Sequence, residues 1–443
     1  MRYFLPYWED WVHRDYNHIT EEYTKDFIFA HEIMKEPIYD GLLVSLGLFE
    51  LKLRLIKENG RPRIREFYNI REYLRLPEQL HVMGDCGAFT YINEKNPVIT
   101  VEKAVYYYDS LGFDYGISVD HICSDVIVLE DKSKIKEFSY DEVIEIKNGK
   151  VRLVLSREEK EYRRRISLEN AYKFLNLSKG RSFIPIGAVQ GYDIETYIDS
   201  AKQLIDQGYE YIAFGGLAFR ETEFISQLLD KIKKEIDTRR IKIHLLGILR
   251  EGLLEKMKEY KIYSFDSASY YRKSWLKASQ NYLGIDKRWY SAIRVPQIKI
   301  QRIKNKILGN ITISQLEEKE QKILKSLRDF DKGYIKDIDA LLEEIISYDK
   351  IFFRESFDEN KFYSLYKETL ESKIWKECDC EVCKSMGIDV VIFRGADRNK
   401  RRGFHNTYIF YKEILNKKQV KKKEKENEQH LKQGYYETLS QTK

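Results

Sequence analysis

Between residues 2 and 266 the chain repeats one pattern: a short apolar, β-branched or aromatic run, a polar or glycine-bearing turn, then a stretch of helical character. The runs are RYFLPYW (2–8), GLLVSL (41–46), QLHVMGD (79–85), YGISVD (115–120), FIPIGAVQ (183–190), YIAFGG (211–216), IHLLGIL (243–249) and IYSFD (262–266). Amphipathic stretches such as IETYIDSAKQLIDQG (194–208), with its glycine stop, and ETEFISQLLDKIKKEI (221–236) lie between them. Alternating strands and helices make a parallel sheet, and eight repeats predict an α/β fold closed as a (β/α)8 TIM barrel. An open doubly wound sheet is the alternative.

The rhythm breaks at about 125–165, where a charged insertion carries KNGK (147–150) as a hairpin turn. A catalytic barrel is therefore expected over 1–298, a helical zinc-binding region over 299–415, and a charged tail over 416–443. The 43% hydrophobic content supports a sizeable core. No apolar run approaches the ~18 residues that cross a bilayer. A polar start without an apolar leader core, and an odd count of 5 cysteines, speak against secretion and a disulfide framework, so a cytoplasmic location is expected, with no membrane partner. The net charge of +6 permits a nucleic-acid partner without requiring one.

Three of those cysteines fall in CDCEVC (378–383). Thiolates at this spacing converge on one ion, and a closed tetrahedral site needs a fourth ligand. His405, in RGFHNTYIF, supplies it at the start of a predicted helix. Cys378, Cys380, Cys383 and His405 thus read as a structural zinc site, since soft sulfur with one imidazole suits zinc and a filled coordination sphere leaves no room for catalysis. Cys86 and Cys123 stand alone and read as small buried hydrophobes.

Barrel enzymes keep their chemistry at the carboxyl ends of the strands. Those positions hold Asp85, Asp120, Gln190, Gly215, Gly216, Leu246, Gly247 and Asp266. One aspartate at such a place caps a helix; three, with an amide and a Gly-Gly turn, suggest chemistry. Two or three such carboxylates can serve as an acid/base and a covalent nucleophile, and the amide offers a hydrogen-bonding edge for a bound ring.

The order of these motifs, ending in the Cys-x-Cys-x-x-Cys cluster and its later His-Asn, resembles the tRNA-guanine transglycosylase superfamily over about 80–410. DCGAFT (85–90) resembles the family's Asp-Ser-Gly-Gly-Phe/Tyr-Gln, which implies Asp85 as general acid/base and Phe89 as a stacking face. FDS (265–267) resembles Phe-Asp-Cys and implies Asp266 as the nucleophile. GAVQG carries Gln190 to the base edge, Asp120 falls where the family holds a guanine-like edge, GGL (215–217) offers backbone groups, and HLLG (244–247) makes Leu246 the second stacking face. Departures cluster around sugar and polymer. SASYYRKS follows the nucleophile instead of Pro-Thr-Arg, Thr90 replaces a Gln, and Tyr192 replaces a Gly. With no PUA-like domain read after the zinc region, the chain looks most like the DNA-modifying branch, which implies insertion of 7-cyano-7-deazaguanine in place of guanine in DNA.

Phosphate contacts are expected from Arg272 and Lys273, from the basic stretch beginning near 299, and from Arg401 and Arg402 inside the zinc module. Tyr270 and Tyr271 could stack on a flanking nucleotide or pack. The implied partners are DNA and a 7-deazaguanine base, with an accessory ATPase or helicase-like protein a candidate for opening the duplex. The alternatives are a tRNA-guanine transglycosylase and a non-catalytic nucleic-acid-binding zinc protein.

Overall fold

The computed structural model describes residues 1–8, 10–47, 69–277, 279–298, 311–353 and 358–415. Eight parallel strands form a closed barrel: β1 (Arg2–Pro6), β2 (Gly41–Ser45), β3 (His81–Asp85), β4 (Tyr115–Ile117), β5 (Ile184–Val189), β6 (Tyr211–Phe214), β7 (Lys242–Leu245) and β8 (Ser264–Asp266). Each pairs with its sequence neighbour, and β8 returns to β1 with Phe4 opposite Asp266. The eight runs of the sequence are these eight strands, and the closed barrel prevails over the open sheet.

Successive strand residues face opposite sides, so positions two apart share a face. Phe4, Leu43, Met83, Ile117, Ala188 and Ala213 belong to one buried cluster. Gly84 and Gly116 make room for the helix Val101–Ser110: a Cβ at either would lie 2.1 Å or 2.4 Å from the Tyr108 ring, whose hydroxyl bonds the Ile117 carbonyl. Asp193 caps the helix Ile194–Asp206 by accepting from the Thr196 amide, while Thr196 reciprocates. The insertion is a three-stranded antiparallel sheet (Val126–Leu129, Tyr140–Glu145, Val151–Leu155) with the expected turn at 147–149 and its own small apolar core.

The chain divides into two compact units, 1–9 with 39–268 and 10–38 with 269–443. The division thus falls earlier than the expected boundary at 298. After β8 the chain turns into helix Ser269–Leu276, which packs on helix Ala396–Ile409, and Ile293–Arg294 pairs with Ile392–Phe393. Residues 10–38 join through charge: Glu21 accepts from Arg394 and Arg398, and His13 bonds Asp397. No helix among the described residues is long and apolar enough to cross a membrane. The basic stretch 299–310 and the tail 416–443 lie outside the described residues.

Candidate active site

Period-two geometry explains how the mouth is furnished. Asp85 follows Met83 on one face of β3, Gln190 follows Ala188 beyond β5, Gly215 follows Ala213 beyond β6, and Asp266 follows Ser264 on β8. The strand interiors thus supply core, and their next same-facing residues are the candidate site residues.

Asp266 is buried, and its Oδ1 accepts from the Gly247 amide at 2.8 Å and faces His244 Nε2 at 3.1 Å. Two neighbours thus meet one oxygen of this carboxyl. Asp85 is set differently. Burial, reinforced by the charges of Asp120 and Asp266, pushes its carboxyl up to about 7, against weaker opposing bonds from the Gly87 amide (3.0 Å) and Ser45. The charge of Asp266 contributes to raising the Asp85 carboxyl, so the two carboxyls lie in one electrostatic field.

Asp120 forms a buried polar cluster with the amide. Its Oδ2 accepts from Gln190 Nε2 at 2.5 Å, its Oδ1 from Cys86 Sγ at 3.0 Å, and its own carbonyl from the Tyr91 hydroxyl at 2.9 Å. Burial raises the Asp120 pKa. Gln190 Oε1 is buried and has no partner among the described residues, so one acceptor of this cluster is unpaired. The backbone of Gly215 is already engaged, its amide with Val189 and its carbonyl with the Tyr197 hydroxyl. What Gly215 contributes is absence: a Cβ there would meet Gln190 Nε2 at 2.3 Å. Gly216 turns the chain at φ +70°.

Leu246 is partly buried against the barrel core, and Phe89 is 51% exposed with its ring 5.3 Å from that of Phe219. Both are therefore available as apolar faces. Sequence reasoning passed over Cys86, taken as plain core, and His244 and Ser45. The usable signal for His244 was its place in β7, two residues before Leu246 on the same face as the mouth positions.

In the second unit Cys378, Cys380, Cys383 and His405 are buried together, with their ligand atoms all within 4.8 Å of one another. His405 Nδ1 lies 3.5, 3.5 and 3.3 Å from the three sulfurs. A tetrahedral zinc with ordinary Zn–S and Zn–N bonds sets that separation at about 3.6 Å, so the donor set fits such an ion. His405 Nε2 donates to the Leu283 carbonyl at 2.8 Å, which leaves the Nδ1 lone pair for a metal. His405 sits inside the helix Ala396–Ile409 rather than at its start.

The basic candidates separate. Arg402 is fully buried, its guanidinium donating to the Val390, Ile392 and Ser274 carbonyls. Arg401 bonds Asp397 and the His13 carbonyl. Both brace the fold, so the expectation that they meet phosphates is corrected: the charge run lies on a helix covered on several faces. Tyr270 and Tyr271 likewise pack, stacked on Phe410 and Phe404. Arg272 and Lys273 are half-buried, and the Lys273 ammonium lies 4.1 Å from the Trp289 ring centroid.

A closed parallel barrel with carboxylates gathered at the carboxyl ends of its strands defines a (β/α)8-barrel enzyme. No protein-family model matches the chain. It is, however, 30% identical over 429 residues to the DNA-guanine transglycosylase of Salmonella montevideo, covering 94% of this chain and 96% of that protein. The chain belongs to the DNA-guanine transglycosylase family and is a glycosyltransferase of the guanine-transglycosylase type.

Proposed function

We propose that the protein replaces guanine in DNA with a 7-deazaguanine, 7-cyano-7-deazaguanine, through a covalent aspartyl-nucleotide intermediate. The observation that carries this reading is the divided pair: Asp266 anchored by two donors, and Asp85 with a carboxyl near neutrality in the same electrostatic field. Asp266 attacks C1′ while Asp85 gives its proton to the departing guanine; the incoming base then returns its proton to Asp85 and displaces Asp266. Gln190 Oε1 and the Asp120 cluster meet the ring edge, and Phe89 and Leu246 cover its faces. The target nucleotide enters flipped or single-stranded, and Arg272 and Lys273 are the proposed phosphate contacts. The bound metal is zinc with a structural role, because four protein donors fill its coordination.

The test is incubation with labelled 7-deazaguanine base and, separately, duplex DNA, single-stranded DNA and tRNA, followed by nucleoside chromatography. Label is expected in DNA. Incorporation into tRNA alone would favour the RNA-acting alternative, and none in any polymer would favour a non-catalytic protein.

The Asp85 carboxyl gives a pH prediction. Guanine departure needs it protonated, so single-turnover formation of the covalent intermediate is expected to fall about tenfold per unit as pH rises beyond about 7. Stability follows the same group. A pKa raised on folding gives stability that is whole below the ordinary value of 3.8 and lost as pH rises through about 7. Asp85→Asn is therefore expected to melt higher than the parent at pH 8, by at most about 4 kcal/mol, with the difference vanishing in acid.

A further inference from the structure

His244 is fully buried on β7 beside β8, its Cα opposite that of Ser264. Nε2 faces Asp266 Oδ1 at 3.1 Å, Nδ1 faces Ser264 Oγ at 2.7 Å, and Ser264 Oγ lies 2.5 Å from the Tyr211 hydroxyl. The proton positions follow from what each group can do. A carboxylate only accepts, so Nε2 carries a hydrogen toward Asp266. Nδ1, Ser264 Oγ and the Tyr211 hydroxyl continue the hydrogen-bonded chain behind it. The Phe4 ring stands edge-on at 6.0 Å, an apolar wall beside the imidazole. Both ring nitrogens have a partner, so the imidazole is held in one orientation.

The result is an asymmetric carboxylate. Both the Gly247 amide and His244 hold Oδ1, while no donor among the described residues holds Oδ2. We propose that His244 is a positioning residue for Asp266: it selects Oδ2 as the attacking oxygen and favours breakdown of the glycosyl ester made there. The proposal rests on reading Asp266 as the nucleophile. In the first half-reaction an Oδ2 lone pair bonds C1′, the C1′–N9 pair leaves with guanine, and Asp85 supplies the proton to that base. Oδ1 is then an ester carbonyl, a weaker acceptor than a carboxylate. In the second half-reaction N9 of the incoming base bonds C1′, its proton passes to Asp85, and the Oδ2–C1′ pair returns to Asp266. Charge reappears on Oδ1 in this step, where the two donors stabilise it. His244 thus acts mainly on resolution of the intermediate.

The test compares His244→Ala, His244→Gln and Asp266→Asn in the full-length protein, using steady-state exchange, KM for DNA and base, and the fraction of enzyme trapped on DNA after denaturing quench. His244→Ala is expected to lower turnover roughly tenfold to hundredfold, the range of a hydrogen bond to a charged group, with both KM values within about threefold. The trapped fraction should rise, because resolution slows more than formation. His244→Gln keeps an N–H donor and should recover most of the turnover; melting curves for both variants report folding directly. Unchanged turnover in His244→Ala overturns the proposal. So does a loss that His244→Gln does not recover while folded, or a trapped fraction that falls in step with turnover, since those mark a merely structural histidine. Asp266→Asn separates the two levels: if it forms no adduct, those outcomes strike His244 alone, whereas an adduct in Asp266→Asn removes the nucleophile reading and this inference with it.

Discussion

Asp266→Asn is expected to abolish base exchange, by roughly four orders of magnitude or more, and to eliminate the protein–DNA adduct that the proposed mechanism predicts for the parent on denaturing gels. An amide is nearly isosteric with the carboxylate, and its oxygen can still accept from the Gly247 amide, so the loss cannot be assigned to a collapsed mouth. On the proposed mechanism, what disappears is the carboxyl oxygen that displaces the base. Asp85→Asn should behave differently. It removes the proton given to guanine but leaves the nucleophile, so adduct formation is slowed rather than abolished, and a base that leaves readily without protonation should restore it in part. An adduct in Asp266→Asn of the parental amount would refute the covalent assignment, whatever happened to turnover.

The barrel was legible because each of its strands is a short apolar run closed by a turn, and that pattern survives without knowledge of what the strand touches. Asp85, Gln190, Gly215 and Asp266 were legible for the same reason: each is the next same-facing residue at a strand's carboxyl end. Burial set by distant partners was not legible. Arg401 and Arg402 read as a solvated, phosphate-facing charge run, yet Asp397, the His13 carbonyl and carbonyls at 274, 390 and 392 enclose them. The excursion 10–38 falls inside the expected barrel range 1–298; Glu21, which meets Arg394 and Arg398 more than 370 positions away, and His13, which bonds Asp397, tie it elsewhere. His244 sat inside the apolar run IHLLGIL, where a histidine reads as strand filler until its ring is seen between Ser264 and Asp266. Cys86 was rightly placed in the interior, but nothing in its sequence neighbourhood revealed the thiol bond to Asp120.

Removing the metal should unfold much of the second unit. Its four donors come from segments that Asn406 also joins, accepting from the Leu283 amide and donating to the Asn281 carbonyl. Cys380 caps the helix Glu381–Met386, accepting from the Cys383 amide, and Cys378 precedes that helix by three residues. His405 comes from the helix Ala396–Ile409, and its other nitrogen holds the Leu283 carbonyl while the Tyr282 ring stacks on it at 4.1 Å. One ion held by these donors would tie the cysteine turn, a long helix and the hairpin Tyr282–Leu283/Trp289–Tyr290. Without it, three thiols and an imidazole would stay buried against one another with few partners to replace the bonds to metal. Structural zinc sites contribute about 10–16 kcal/mol to folding in small peptides, more than most domains have in reserve, so the demetallated unit is not expected to hold. One zinc per chain should be found by elemental analysis, and a strong chelator should expose 269–415 to limited proteolysis and abolish the corresponding melting transition. Cys383→Ser should reproduce this without chelator, whereas Cys123→Ser, at a thiol outside the cluster, should leave the zinc content at one. Full metal loss with unchanged proteolysis and melting would overturn the structural role: the cysteine turn would then be held by packing alone.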